Sequence, residues 1–118
     1  MKKISIIIPL YNLEGLIGKC IASALDQDLP PEEYEVIVVD DGSTDGSLAA
    51  AQRAACGHAN VQVHAKPNEG VSLARNYGTE RAAGRYVMYV DADDYLSPSV
   101  LGAVSYTHLR AHETCADL

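Results

Sequence analysis

Four short segments of this chain are rich in apolar residues, and each is followed by polar or turn-forming residues. The segments cover residues 4–9, 34–39, 61–65 and 86–90 and are predicted to be strands. The largely apolar, often β-branched character of the first two is typical of strands that are buried on both faces of a sheet.

The segments between these runs carry apolar residues at helical spacing. The first helix is predicted over residues 13–24, and the second runs from a cap at Ser43 or Thr44 to Ala55. The third is predicted over residues 70–83, with an apolar stripe formed by Val71, Ala74, Tyr77 and Ala82. Ser97-Pro98 predicts the start of another helix. Regular alternation of strands and helices predicts an α/β fold with an open, mostly parallel sheet flanked by helices.

Acidic residues are concentrated directly after the second and fourth predicted strands. Six of the 16 acids lie in these two segments: Asp40, Asp41, Asp45, Asp91, Asp93 and Asp94. The carboxyl ends of parallel strands share one edge of the sheet, where ligands bind. We therefore expect the two clusters to face each other, with Tyr11-Asn12 beside them after the first strand.

The second cluster places three carboxylates within four residues, Asp91, Asp93 and Asp94. Adjacent carboxylates repel each other, and a hard divalent cation such as Mg²⁺ or Mn²⁺ is their natural partner. The alternative is a solvated acidic turn ahead of a helix N-terminus. The position after a buried strand, opposite a second acidic cluster, favours the metal site.

The first cluster is explained only in part by local structure. Gly42 suits a tight turn, and Ser43, Thr44 and Asp45 suit a helix start. Asp40 and Asp41 have no such structural reason, and carboxylates there could accept hydrogen bonds from a nucleobase imide or a ribose hydroxyl.

Arg75, in the third predicted helix, has two interpretations: a salt bridge to the acids, or neutralisation of a diphosphate beside the metal.

Charge and composition narrow the function further. Nine basic residues against 16 acidic ones give a net charge of −7, which excludes the basic surface of a nucleic-acid binder. Three widely spaced cysteines indicate reduced thiols. No apolar stretch reaches the about 18 residues that a membrane span needs, and Pro9 ends the N-terminal apolar run too early for a signal peptide. We expect a cytoplasmic protein.

Four motifs occur in order at fitting separations, in residues 5–12, 38–45, 70–76 and 84–94. Together they resemble the family 2 glycosyltransferases of the GT-A fold, a Rossmann-like fold of nucleotide-diphospho-sugar transferases. The resemblance covers residues 4 to about 103.

The resemblance implies binding of a nucleotide-activated sugar, often a UDP-sugar, together with a divalent metal, Mn²⁺ or Mg²⁺. Tyr11 would lie against the nucleobase and Asp41 would hydrogen-bond it, while Pro9 and Asp40 would shape the same pocket. Asp91 would reach the ribose or the sugar. Asp93 would bind the metal that bridges the phosphates, and Arg75 would help to neutralise the leaving diphosphate.

The resemblance also implies inverting transfer to an acceptor hydroxyl, assisted by a carboxylate base. In the family this base lies well beyond the acidic motif, and only 24 residues follow Asp94 here. We therefore expect residues 1–103 to be the donor-binding part of a larger domain, incomplete at the C-terminus and inactive alone. Residues 104–118 resemble the translation of a sequencing-library adapter and are interpreted as a non-native tail.

Several properties stay open at this point. A non-catalytic α/β metal- or nucleotide-binding module of the receiver type is the alternative function, although its acidic pair is missing after the first strand. The acceptor is unknown and is expected to be a glycan, a lipid or a protein. The expected process is cell-envelope polysaccharide synthesis. Family members often work at the inner face of a membrane, so peripheral attachment of the full-length protein is also expected.

Overall fold

The computed structural model describes residues 2–104 of the chain. Its strands and helices alternate along that length. They are β1 (Ile4–Leu10), α1 (Ile17–Leu25), a 3₁₀ turn (Pro31–Glu33), β2 (Tyr34–Asp41), α2 (Ser47–Ala55), β3 (Val61–Lys66), α3 (Val71–Glu80) and β4 (Tyr86–Tyr89). A helical turn over residues 100–104 follows. The non-native tail predicted for 104–118 lies outside the described residues except for Val104, which packs against the core.

The four strands form one parallel sheet in the order β3-β2-β1-β4. β1 pairs with β2 along its whole length, from Ile4 opposite Tyr34 to Leu10 opposite Asp40. All residues of β1 and β2 are buried. The largely apolar sequence of these strands is therefore explained by helices that cover both faces of the sheet. This arrangement confirms the predicted parallel α/β fold.

Alternate residues of β1 feed two hydrophobic clusters. Ile6 and Ile8 pack with α1 and α2 on one face, whereas Ile7 packs with Ala74 of α3 on the other. Each fully buried isoleucine contributes about 1.5–3 kcal/mol of transfer free energy. The larger cluster also includes Ala92 and Leu101 from the chain after β4, so the core extends under the second acidic cluster.

Three details of the helices differ from the predictions. α1 begins at Ile17, because residues 11–16 form the turn that crosses the carboxyl edge of the sheet. α2 begins at Ser47 with Gly46 as its N-cap, so Ser43 and Thr44 are not its caps. In α3, Val71 is exposed, and Gly78 joins Ala74 on the buried side in its place.

Candidate functional site

An open cleft of about 400 Å³ lies at the carboxyl edge of the sheet, where β1, β2 and β4 end. Its walls come from the turn after β1, the end of β2, the loop before α3 and the segment after β4. The lining residues are Pro9, Leu10, Tyr11, Leu13, Asp41, Asn68, Gly70, Val71, Asp91, Ala92 and Asp93. The topology thus brings together residues that lie up to 84 positions apart in the sequence.

Five of the residues predicted for the site line this cleft: Pro9, Tyr11, Asp41, Asp91 and Asp93. Tyr11 presents 46% of its surface to solvent, which is high for an aromatic residue beside a core. Two other predicted residues, Asp40 and Arg75, lie outside the lining. Their hydrogen bonds and ion pairs show what they do instead.

Asp41 ends β2 with a buried carboxylate that is held in place by the loop before α3. Its Oδ1 accepts a hydrogen bond from the backbone N–H of Glu69 (2.9 Å) and its Oδ2 accepts one from Gly70 (3.0 Å). Lys66 Nζ lies 3.4 Å from Oδ1. A carboxylate offers about four lone-pair positions, so these three donors leave one acceptor position on Oδ2 unused within residues 2–104.

Asp40 points away from the cleft and stabilises the turn behind it. Its carboxylate accepts hydrogen bonds from both the hydroxyl and the backbone N–H of Ser43. The Ser43 hydroxyl in turn accepts the backbone N–H of Asn12 at 3.0 Å. Asp40 therefore contributes to the pocket through the position of this turn.

The turns after β1 and β2 are tied together by side-chain hydrogen bonds. Asn12, in a left-handed conformation with φ of 50°, accepts the backbone N–H groups of Thr44 (2.8 Å) and Asp45 (3.3 Å). Asp45 accepts the backbone N–H of Ser47 at 2.9 Å, and its hydrogen bonds to Ser47 lower the pKa of its carboxyl group. These bonds fix the backbone on either side of Tyr11.

The second acidic cluster forms a tight turn of residues 91–94, called the acidic turn below. The Asp94 N–H donates to the Asp91 carbonyl at 2.9 Å, and one carboxylate oxygen each of Asp91, Asp93 and Asp94 lie within 4.8 Å of one another. All three side chains are exposed. Three hard oxygen donors with room for further ligands suit Mg²⁺ or Mn²⁺, so the residues present fit the predicted metal.

Cys20 of α1 lies directly beneath the acidic turn. Burial raises the pKa of its thiol to about 12, and the negative charges of Asp94, Asp93 and Asp91 act in the same direction. The thiol therefore stays protonated at neutral pH. Its Sγ lies 3.6 Å from the Asp91 carbonyl oxygen, which accepts the S–H.

Arg75 reaches the acidic turn from α3, which covers the face of the sheet opposite to α1. Its guanidinium Nη2 lies 3.5 Å from Asp91 Oδ1, and the group stands 5.8 Å from the centre of the Tyr89 ring. Its Nε is buried and makes no hydrogen bond within residues 2–104. The predicted salt bridge between Arg75 and the acids is thus present.

Sequence reasoning missed Asn68, which lines the cleft and donates from Nδ2 to the Asp41 carbonyl at 2.9 Å. It follows β3 at the same sheet edge as the acids, so the rule about strand ends could have found it. Gly42, whose φ is 69°, allows this approach. Its backbone lies so close to Asn68 that an added Cβ would sit 2.6 Å from the backbone nitrogen of Asn68.

No helix among residues 2–104 is long and apolar enough to cross a bilayer.

A family model described as glycosyl transferase family 2 matches residues 5–113. Among curated proteins, the poly(ribitol-phosphate) beta-glucosyltransferase of Bacillus spizizenii is 42% identical over 101 residues, which are 84% of this chain and 16% of the relative. A chondroitin synthase of Pasteurella multocida is 37% identical over 98 residues, 83% of this chain and 10% of the relative. The chain therefore spans a small fraction of these relatives.

Solved structures share the fold. S. aureus TarS 1-349 in complex with UDP superimposes with a TM-score of 0.87 and 34% identity, over 93% of this chain and 33% of that one. A mannosyltransferase from Pyrobaculum calidifontis, in complex with GDP-Man and Mn²⁺, gives 0.80 and 30% identity, over 88% of this chain and 32% of that one. The chain thus has the GT-A fold and belongs to glycosyl transferase family 2.

Proposed function

We propose that this chain is the donor-binding portion of a metal-dependent, inverting glycosyltransferase, and that its donor is a UDP-sugar. One observation carries the proposal: a single cleft is lined both by a buried, amide-anchored carboxylate and by two members of a cluster of three exposed carboxylates. The first suits a neutral hydrogen-bonding group such as a nucleobase imide. The second suits a cation that can carry phosphates.

At the nucleoside end of the cleft, Tyr11 and Asp41 would hold the base. Tyr11 offers an exposed ring whose flanking backbone is fixed by Asn12, and stacking on such a ring contributes about 1–3 kcal/mol per base. The remaining lone pair of Asp41 would accept one N–H from the edge of the base. The Asp41 carboxylate and the backbone beside Tyr11 are held in position before the ligand arrives, which lowers the entropy cost of binding.

At the other end, Asp91 would contact the ribose or sugar, and Asp93 would hold the divalent cation together with its neighbours in the acidic turn. A bound Mg²⁺ or Mn²⁺ would neutralise charge on the leaving diphosphate. Arg75 would add a second positive charge after exchanging part of its ion pair with Asp91 for a phosphate oxygen. No role in transfer to the acceptor is assigned to residues 2–104.

Similar proteins support the choice of ligand. Structures of S. aureus TarS contain UDP and UDP-GlcNAc, and the Pyrobaculum mannosyltransferase contains GDP-Man and Mn²⁺. This chain covers only a fraction of such proteins. We therefore propose only for the longer protein that it transfers the sugar with inversion to an acceptor hydroxyl in cell-envelope polysaccharide synthesis. Peripheral attachment to a membrane is likewise a proposal for the longer protein.

Calorimetric titration of the chain with UDP, with and without Mn²⁺, tests the proposal. Wild type should bind UDP at least tenfold more tightly with Mn²⁺ present, and Asp93→Asn should remove that gain while keeping metal-free binding. Glu80→Gln, at an exposed position of α3 away from the cleft, is the matched control and should behave as wild type. Equal UDP affinity with and without Mn²⁺ in wild type would refute the metal-dependent function.

A further inference from the structure

A row of side chains on and just after α1 binds the backbone of the chain that follows β4. Cys20 and Ser23 belong to α1, and Gln27 and Asp28 follow its last turn. We call these four residues the α1 clasp. Their partners lie between residues 91 and 102, which include the acidic turn and the segment that leads to the last helical turn.

The first contact of the α1 clasp is made to the acidic turn itself. Cys20 donates its S–H to the Asp91 carbonyl, which also accepts the Asp94 N–H. That carbonyl closes the turn that brings the three carboxylates together. A contact to it therefore acts on the backbone that sets the spacing of the carboxylates.

The middle contacts hold the chain on the far side of the turn. Ser23 Oγ accepts the backbone N–H of Leu96 at 2.9 Å. Gln27 uses both ends of its amide: Nε2 donates to the Ser97 carbonyl at 2.9 Å, and Oε1 accepts the Leu101 N–H at 3.0 Å. Residues 94–97 belong to no helix or strand, so these side chains replace the partners that regular structure would give.

The last contact fixes the start of the final helical turn. Asp28 Oδ1 accepts the backbone N–H of Gly102 at 2.8 Å. A Cβ at position 102 would collide with the Asp28 carboxylate, so glycine permits the close approach. The clasp thus reaches from the acidic turn to residue 102, and none of its four members lines the cleft.

We propose that the α1 clasp positions the acidic turn for cation binding, an inference that rests on the proposed function of that turn. Three carboxylates within 4.8 Å of one another repel, and without a cation this repulsion favours an open turn. Contacts that hold the backbone closed make the ligand geometry available before the cation arrives. The four residues of the α1 clasp are positioning residues that touch neither the cation nor the donor.

Three variants test the positioning role. Gln27→Ala and Ser23→Ala remove contacts at partly exposed positions, so the fold should survive, and Gln52→Ala on the exposed side of α2 is the matched control. Cys20→Ser keeps a hydrogen-bond donor to the Asp91 carbonyl. The measurements are Mn²⁺ affinity in the presence of UDP, UDP affinity without metal, and hydrogen exchange at the Leu96 and Leu101 amides.

We expect Gln27→Ala and Ser23→Ala each to weaken Mn²⁺ binding about fivefold, the scale of one neutral hydrogen bond. UDP affinity without metal should stay within twofold of wild type, because Tyr11 and Asp41 lie away from the clasp. Exchange at the two amides should become faster, whereas Cys20→Ser and Gln52→Ala should retain the Mn²⁺ affinity of wild type. A general loss of structure would instead lower metal-free UDP binding as well.

Wild-type Mn²⁺ affinity in Gln27→Ala and Ser23→Ala, with faster amide exchange, would overturn the positioning role. Loss of metal-free UDP binding in these variants would overturn it too, because the contacts would then serve overall folding. Failure of the proposed function gives a different result: wild type itself would show no effect of Mn²⁺ on UDP binding.

Discussion

Gly78 lies where α3 comes closest to the sheet, and its replacement by alanine should destabilise the fold. An added Cβ would sit 2.6 Å from Ile7 Cγ2 and 3.2 Å from Val39 Cγ2. Carbon atoms pack at about 3.5–4.0 Å, so the first contact is about 1 Å too short. Ile7 and Val39 are completely buried, and neither can turn toward solvent to relieve the conflict.

The size of the effect follows from two opposing terms. Overpacking of this kind costs about 1–3 kcal/mol, and a 1 Å conflict with two buried side chains belongs in the upper half of that range. Alanine recovers up to about 1 kcal/mol of helix propensity relative to glycine. We therefore expect Gly78→Ala to lower the free energy of unfolding by about 1–2 kcal/mol. Because Arg75 lies one helical turn earlier, its contact with Asp91 should lengthen as α3 moves outward.

Urea unfolding followed by circular dichroism measures this change, and Gly18→Ala on α1 provides the matched control. A Cβ at Gly18 meets no atom within 4 Å, so the control should gain about 0.4–1 kcal/mol. The two glycine-to-alanine changes should therefore have opposite signs. Stabilisation by both would refute the close packing of α3 on the sheet.

Three further predictions concern single side chains. Asn12→Gly should retain about 1 kcal/mol more stability than Asn12→Ala in urea unfolding, because only alanine is strained at φ of 50°; equal losses would contradict this. Burial and the charge of Arg81 lower the pKa of His64 below 6.5 in the folded protein. The contribution of His64 to stability is therefore present above pH 6.5 and is lost as the pH falls through the lower pKa of the folded state. The pKa of His64, measured by NMR titration, should rise in Arg81→Gln, and no rise would exclude the charge effect. Iodoacetamide should alkylate exposed Cys56 at least tenfold faster than buried Cys20 under native conditions, as read by peptide mass spectrometry, and equal rates would contradict the burial of Cys20.

The strands could be predicted from the sequence because their signal is local. The seven consecutive buried residues of β1 are apolar except for Ser5. This pattern alone predicts that both faces of the strand are covered. The end of β2 shows where this fails. Asp40 and Asp41 continue the strand although they are charged, because Ser43 and the amides of residues 69 and 70 satisfy their carboxylates. The donors for Asp41 are nearly 30 residues away, and no local pattern reveals them.

The candidate site divides in the same way. The acids at the strand ends were predicted correctly to lie at one edge, since parallel topology alone places them there. Local pattern predicted Ser43 or Thr44 as the cap of α2, whereas in the structure the hydroxyl groups of both accept hydrogen bonds from Asn12. Hydroxyl groups suit either role, and the choice depends on a turn 30 residues earlier. The α1 clasp was missed for the same reason, because its partners are backbone groups that any sequence would offer.

The interior position of β1 has a consequence for synthesis of the chain. β1 leaves the ribosome well before β4, which is one of its two neighbours in the sheet, with Ile4 opposite Tyr86. At about 5–20 residues per second, an open apolar edge of β1 waits for about 4–16 s before its last partner is made. During that interval β1 can pair with β2, but its other edge is a template for wrong strands. The β1–β4 pairing, and with it the acidic turn that follows β4, can therefore form only after β4 has been made.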